Sequence, residues 1–238
     1  NKIYYAYYRL SEDLDFSMRL PRYEATRGER RKCIEAVKNK MNKFVESIDM
    51  KIEDAGNPGR NESKQYVYNL VYPSAIRSLE GRIKFEIGLR FNHLLPTETQ
   101  PVQHAFLHPF TGEPLFDGGK VNCLSLNEIV SEKLRAAALR KTIAPRDFYD
   151  LDFILRNNFD IAKKGIMDLF MKKVAEDDGS DDLSRYRVNL GRSKNEIKDM
   201  SARIETELFD VLTSDERENF NLDSALKRIN KAMAGVKN

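Results

Sequence analysis

Residues 65–72 and 81–90 alternate apolar and polar side chains, with β-branched and aromatic residues filling the apolar places. A period of two over eight or more residues belongs to a half-buried strand. In the second run Ile83, Phe85, Ile87 and Leu89 share one face, while Lys84, Glu86 and Arg90 share the other. The two runs are expected to be neighbours in one sheet. Beyond residue 120 the period changes. Stripes such as Ile197, Met200, Ile204, Leu208 and Val211, or Leu222, Leu226, Ile229 and Met233, recur at spacings of three and four, which is helical. The expected fold class is therefore α+β, with an α+β domain over residues 1–120 and a helical domain over 121–238.

Other elements follow from the same rules. Residues 1–8 read as the end of a helix, and Asp13 to Phe16 as a strand that Pro21 cannot extend. From Thr26 a helix carries Ile34, Val37, Met41, Phe44 and Ile48 as its apolar stripe. A short strand starts at Met50, Asn57-Pro58-Gly59 marks a turn, and residues 102–108 are a third strand candidate. Helices are expected over 128–141, with Ser125 as N-cap, then over 146–157, 161–174, 194–212 and 222–233.

With 41% hydrophobic and 32% charged residues the chain reads as soluble and globular. No apolar run approaches the roughly 20 residues that span a bilayer, and no signal-like segment opens the chain. Cys33 and Cys123 form no CxxC and are expected to be free thiols of a cytoplasmic protein. A net charge of +3 neither demands nor excludes a nucleic-acid partner. Because the chain opens with Asn rather than Met and enters structure at once, its natural N-terminus is expected to lie upstream.

Chemistry concentrates in Arg9-Leu10-Ser11-Glu12-Asp13-Leu14-Asp15-Phe16. On a strand Asp13 and Asp15 point one way and Leu14 and Phe16 the other. Adjacent carboxylates repel and raise one another's pKa, a cost that a divalent cation removes. Mg²⁺ (or Mn²⁺) suits one or two carboxylates with water and phosphate oxygens in its other positions. The pattern points to phosphoryl or nucleotidyl transfer, although an isolated DxD is common in solvated turns. Glu86, on the polar side of its strand, is a third carboxylate that converges with them if the two strands adjoin.

On the 128–141 helix, Lys133 falls in the same arc as Ile129, Val130 and Ala137, and Arg140 lies within about 20° of it. A lysine on a face that should be buried is either snorkelling or aimed into a cleft, where Lys133 and Arg140 would bind phosphate. Downstream, Arg146-Asp147-Phe148-Tyr149-Asp150-Leu151 follows Pro145 in a first helical turn. The helix dipole favours both aspartates, and Arg146 is placed to pair with Asp150. Asp147 is also placed to orient Lys133 or Arg140. His104 and His108 would stand about 13 Å apart on a strand, too far for one metal ion. The acidic stretch 176–182 reads as a solvated loop.

Taken in order, the DLDF block, Glu128-x4-Lys133-Leu134-x-Ala136-x3-Arg140 and Arg146-Asp147-Phe148-Tyr149-Asp150-Leu151 resemble the AbiEii/AbiGii family over about residues 1–155. These are nucleotidyltransferase-like toxins of abortive-infection and toxin–antitoxin systems. The resemblance implies a mixed sheet flanked by helices and a helical domain that closes the nucleotide cleft. It implies Asp13, Asp15 and Glu86 as Mg²⁺ ligands, with Glu86 as ligand or general base and Lys133 on the triphosphate. Arg9, Ser11, Arg140, Asp147 and Asp150 would join Lys133 in binding substrate. The substrates would be an NTP and an acceptor, tRNA among the acceptors of such enzymes, and the partner a cognate antitoxin. The family's Gly-Gly-Ser/Thr phosphate turn, expected just ahead of residues 1–8, is not in the sequence. Either the sequence starts after it or this member lacks it. Two other readings use the same residues: a metal nuclease, which would cleave nucleic acid without NTP, and a non-catalytic nucleotide- or partner-binding protein, which would bind without turnover.

Overall fold

The computed structural model describes residues 2–5, 9–10, 13–22, 25–53, 56–74, 79–90, 92–104, 106–177 and 179–236. The chain forms two compact units, Ser11–His93 and a second that joins Asn1–Leu10 to Leu94–Asn238.

In the Ser11–His93 unit the alternating runs form the expected strands. β1 (Asp13–Ser17), β2 (Lys51–Ile52), β4 (Gln65–Pro73) and β5 (Glu80–Gly88) lie in the order β1-β5-β4-β2, and β3 (Gly59–Arg60) pairs with β4. The β1–β5 pair is parallel and the rest are antiparallel, so the sheet is mixed. One long helix follows β1 in sequence. Thr26 starts it with a reciprocal capping box, its hydroxyl accepting from the Glu29 N–H while the Glu29 carboxylate accepts from Thr26 N–H. This helix, α2 (Arg27–Glu46), shares a core with Tyr66, Tyr68, Leu70, Ile87 and Leu89 through Ile34, Met41 and Val45. Phe44 and Ile48, expected in the buried stripe, are 46% and 42% exposed. The stripe turns onto Val45 as the helix nears its end, because 3.6 residues per turn carry a fixed face away from a strict three-and-four repeat. On the side of the sheet that carries Leu14 and Phe16, the Phe16 ring stacks on Phe85 with centroids 4.7 Å apart.

The second unit is mainly helical. α1 (Lys2–Tyr5) precedes a segment pinned to it by the Arg9–Leu212 bridge and by Leu10 N–H donating to Val211 O at 2.6 Å. A hairpin of β6 (Glu98–Pro101) and β7 (Lys120–Cys123) leads to α3 (Leu126–Leu139), α4 (Pro145–Arg156), α5 (Lys164–Glu176), α6 (Lys194–Ser201), α7 (Ile204–Glu207), α8 (Ser214–Asn219) and α9 (Leu222–Ala234). Val130, Leu134, Phe148, Leu151, Phe170, Ile229 and Met233 form its core.

Three expectations change. The hairpin sits with the helices, so the compact units divide after His93 rather than near residue 120. The described residues of 102–108 hold only an isolated bridge, Leu107 to Pro114: the β6–β7 ladder ends at Pro101 opposite Lys120, and beyond it His104 stacks on Phe116 at 4.1 Å. The helix expected over 194–212 breaks after Ser201, where Arg203 turns its side chain to donate to Ile143 O at 2.6 Å and pair with Glu207. Among the described residues no helix is long and apolar enough to cross a membrane.

Candidate functional site

Two clusters hold the residues singled out from the sequence, one in each unit. In the helical unit the cluster is built on two buried carboxylates. Pro145, with no N–H to lose, opens α4, and its first two turns then place Asp147 and Asp150 inward at 1% and 0% side-chain exposure. Buried carboxylates need partners. Arg9 Nε and Nη2 donate to the two Asp150 oxygens at 2.7 and 2.9 Å, a bidentate fork. Lys133 Nζ lies 2.6 Å from Asp150 Oδ2 and 3.6 Å from Asp147 Oδ1. Arg140 Nε donates to Asp147 Oδ2 at 2.8 Å. Burial pushes the Asp150 carboxyl up, but Lys133 and Arg9 more than reverse this and hold it at about 2.

The Lys133 that interrupts an apolar face is thus an ion-paired residue at 23% exposure, and Arg140, at the C-cap of α3, is 42% exposed. Among the described residues three cations, Arg9, Lys133 and Arg140, face the carboxylates of Asp147 and Asp150, which leaves positive charge at the rim. Asp147 touches both Lys133 and Arg140. The expected Arg146–Asp150 pair is replaced: Arg146 stays exposed, and Arg9 and Lys133 take the Asp150 oxygens. Arg9 lies 141 positions from Asp150, and no local pattern connects them.

In the Ser11–His93 unit the strand register does the positioning. Asp13 stands opposite Lys84 and Asp15 opposite Glu86 in the parallel β1–β5 pair. All four side chains therefore share one face of the sheet. Lys84, present in the polar stripe of its strand but given no role from the sequence, stands among these carboxylates. Its Nζ lies 2.7 Å from Glu86 Oε2 and 4.0 Å from Asp13 Oδ2. The hydrogen bond to Glu86 pushes the Lys84 ammonium above its usual pKa, the charges of Asp13 and Asp15 add to this, and desolvation opposes it. Gln65 Nε2 donates to Glu86 Oε1 at 2.5 Å. Ser11 and Glu12 lie outside the described residues.

Whether this face suits a divalent ion can be judged from its donors. Asp13 and Asp15 offer hard oxygens side by side, and the face already draws a cation, the Lys84 ammonium, toward them. Among the described residues no three His, Cys, Asp or Glu side chains group as metal ligands. Both Glu86 oxygens are engaged by Gln65 and Lys84. What fits is a site of two carboxylates completed by water or phosphate oxygens, the usual habit of Mg²⁺. His104 and His108 take no part: His104 bonds Phe116 O at 2.8 Å, and His108 Nδ1 accepts from the N–H groups of Phe110 and Thr111.

A family model described as nucleotidyl transferase AbiEii toxin, type IV TA system, matches residues 1–233. Among solved structures, JHP933 from Helicobacter pylori aligns with a TM-score of 0.47 at 14% identity, over 98% of this chain and 80% of that one. A second H. pylori structure, described as a candidate nucleotidyltransferase, aligns with a TM-score of 0.45 at 17% identity, over 98% of this chain and 82% of that one. No curated protein matches. Because the family model spans nearly the whole sequence, the chain belongs to the AbiEii nucleotidyl transferase toxin family.

Proposed function

We propose that the chain is a metal-dependent nucleotidyltransferase, acting in the cytoplasm, that moves a nucleoside monophosphate from an NTP to an acceptor hydroxyl on RNA, with tRNA as the foremost acceptor. In this reading it is the toxin of a pair whose antitoxin is encoded alongside. The observation that carries the reading is the β1–β5 register, which sets Asp13 and Asp15 on one face of a strand with Glu86 opposite Asp15.

Asp13 and Asp15 would hold Mg²⁺ or Mn²⁺, with Glu86 as the third carboxylate. A bound divalent ion there supplies charge neutralisation at the transferred phosphate. The protein's own part is binding and orientation. Lys133 has three donors and directs one at Asp150, so its ammonium can also take a phosphate oxygen. Arg140 offers the rest of its guanidinium fork to a second phosphate oxygen while Asp147 fixes its Nε. Asp147 and Asp150 hold the two cations in place before substrate arrives. Arg9 reinforces Asp150, and Ser11, two positions before Asp13 in the sequence, is the remaining candidate for substrate binding. Support for the phosphate role comes from the excess of cations over carboxylates in the cluster and from the exposure of Arg140.

The test is incubation of the full chain with each α-labelled NTP and total cellular RNA, with and without Mg²⁺. Label transferred to RNA by the wild type and lost in Asp13→Asn and Asp15→Asn, both still folded by circular dichroism, is the expected result. Full transfer by either variant would refute the mechanism. RNA cleavage without NTP would instead indicate a nuclease.

A further inference from the structure

The acidic face carries a cation of the chain's own, Lys84. Lys84 pairs with Glu86 at 2.7 Å and approaches Asp13 to 4.0 Å, while Gln65 fixes the other Glu86 oxygen at 2.5 Å. Arg82, two residues before it on the same strand face, is committed elsewhere, to Glu53 at 2.6 Å. Lys84 is thus a counter-cation held against both β1 and β5 on this face. Its side chain is 40% exposed, and a four-carbon stem can swing into water with little loss of packing.

A divalent ion bound by carboxylates sits about 2.0–2.6 Å from their oxygens. An ammonium within 4.0 Å of Asp13 Oδ2 would then stand beside that ion and repel it. The two cations compete for the same negative field. We propose that Lys84 is a resident counter-cation that a divalent ion must displace, so that the Lys84–Glu86 pair and metal binding exclude one another. Displacement releases Glu86 Oε2, which turns a two-carboxylate site into one that Glu86 can join. Lys84 is a positioning residue here: it keeps Asp13 and Glu86 together when no metal is bound and sets the metal concentration at which the site assembles. This rests on the reading that Asp13 and Asp15 bind metal.

The test is Mn²⁺ binding to the full chain by calorimetry and by loss of free-Mn²⁺ electron paramagnetic resonance signal. It uses wild type, Lys84→Met, Lys84→Gln and Asp13→Asn. Removing the competing charge is expected to tighten Mn²⁺ binding about tenfold in both Lys84 variants. Lys84→Met should also melt earlier than wild type in EDTA and regain more stability with Mn²⁺. In the wild-type chain labelled with ¹³C-lysine, Mg²⁺ should shift the Lys84 Cε resonance, and should not do so in Asp13→Asn. If wild type binds Mn²⁺ through Asp13 but the Lys84 variants bind no tighter, or if the Lys84 resonance ignores Mg²⁺, the displacement is refuted and the metal reading stands. Should neither wild type nor the Lys84 variants bind Mn²⁺ through Asp13, both fall together.

Discussion

Arg9 grips Asp150 through both carboxylate oxygens, at 2.7 and 2.9 Å, across 141 positions of sequence. The pair ties a segment at the start of the chain to the second turn of α4. Lys133 shares the same carboxylate from α3. One buried aspartate on α4 therefore organises cations from two other parts of the sequence, and the helical unit depends on it for stability as well as for its charged rim.

Asp150→Asn should therefore destabilise the chain by about 3–5 kcal/mol, because it leaves Arg9 and Lys133 beside a neutral amide in a buried site. Acid should act on the same carboxylate. Its folded pKa is about 2, below the ordinary 3.8, so its contribution is complete above pH 4 and is lost as pH falls toward 2. A shift of that size corresponds to roughly 2.5 kcal/mol. Urea unfolding followed at pH 5, 4, 3 and 2.5 checks both points: the wild type should lose stability across this window, and Asp150→Asn should lose clearly less.

Lys133 and Arg140 differ in exposure, and their variants should fail differently. Lys133, at 23% exposure and held by two aspartates, is the more tightly oriented group. Lys133→Met should lower kcat for nucleotide transfer by about 10²–10³, the usual loss for one preorganised charge. Arg140, 42% exposed, should act mainly in binding. Arg140→Ala is expected to raise the KM for NTP about tenfold with a smaller change in kcat. Steady-state transfer assays over a range of NTP concentrations separate the two, and equal kcat losses would contradict the division.

The strands and most helices were legible because their signals are local. Alternation in residues 65–72 and 81–90 gives β4 and β5, whereas the pairing of β1 with β5, on which the placing of Glu86 depends, has no local signal. What the sequence hid depends on distant partners. Arg9–Asp150 has no spacing to read, and Lys84 looked like any solvated strand lysine until its register opposite Asp13 was known. Helix faces near an end were also misjudged, since Phe44 reads as core yet is 46% exposed while Val45 is buried. Met41→Ala should thus cost about 2–5 kcal/mol and Phe44→Ala under about 0.5 kcal/mol in chemical denaturation. Comparable losses would mean that Phe44 is packed after all.

Lys173 gives the most exacting stability test. It is fully buried on α5, where its ammonium bonds Glu128 and lies 2.7 Å from Glu132, both on α3. Glu128 is buried too and accepts from the N–H groups of Leu94 and Leu95, at 3.1 and 2.9 Å. Burial opposes the Lys173 charge, but the charge of Glu132 and the hydrogen bonds to both glutamates raise its pKa above the ordinary value. Lys173→Met would strand Glu128 as a buried carboxylate without its cation, and a loss of about 3–5 kcal/mol is expected. Adding Glu128→Gln removes the stranded charge while its amide oxygen can still accept from Leu94 or Leu95. The double variant should therefore be more stable than Lys173→Met alone. Urea unfolding of the two variants and the wild type decides this, and a double variant less stable than Lys173→Met would show that Glu128 is not left as an uncompensated charge.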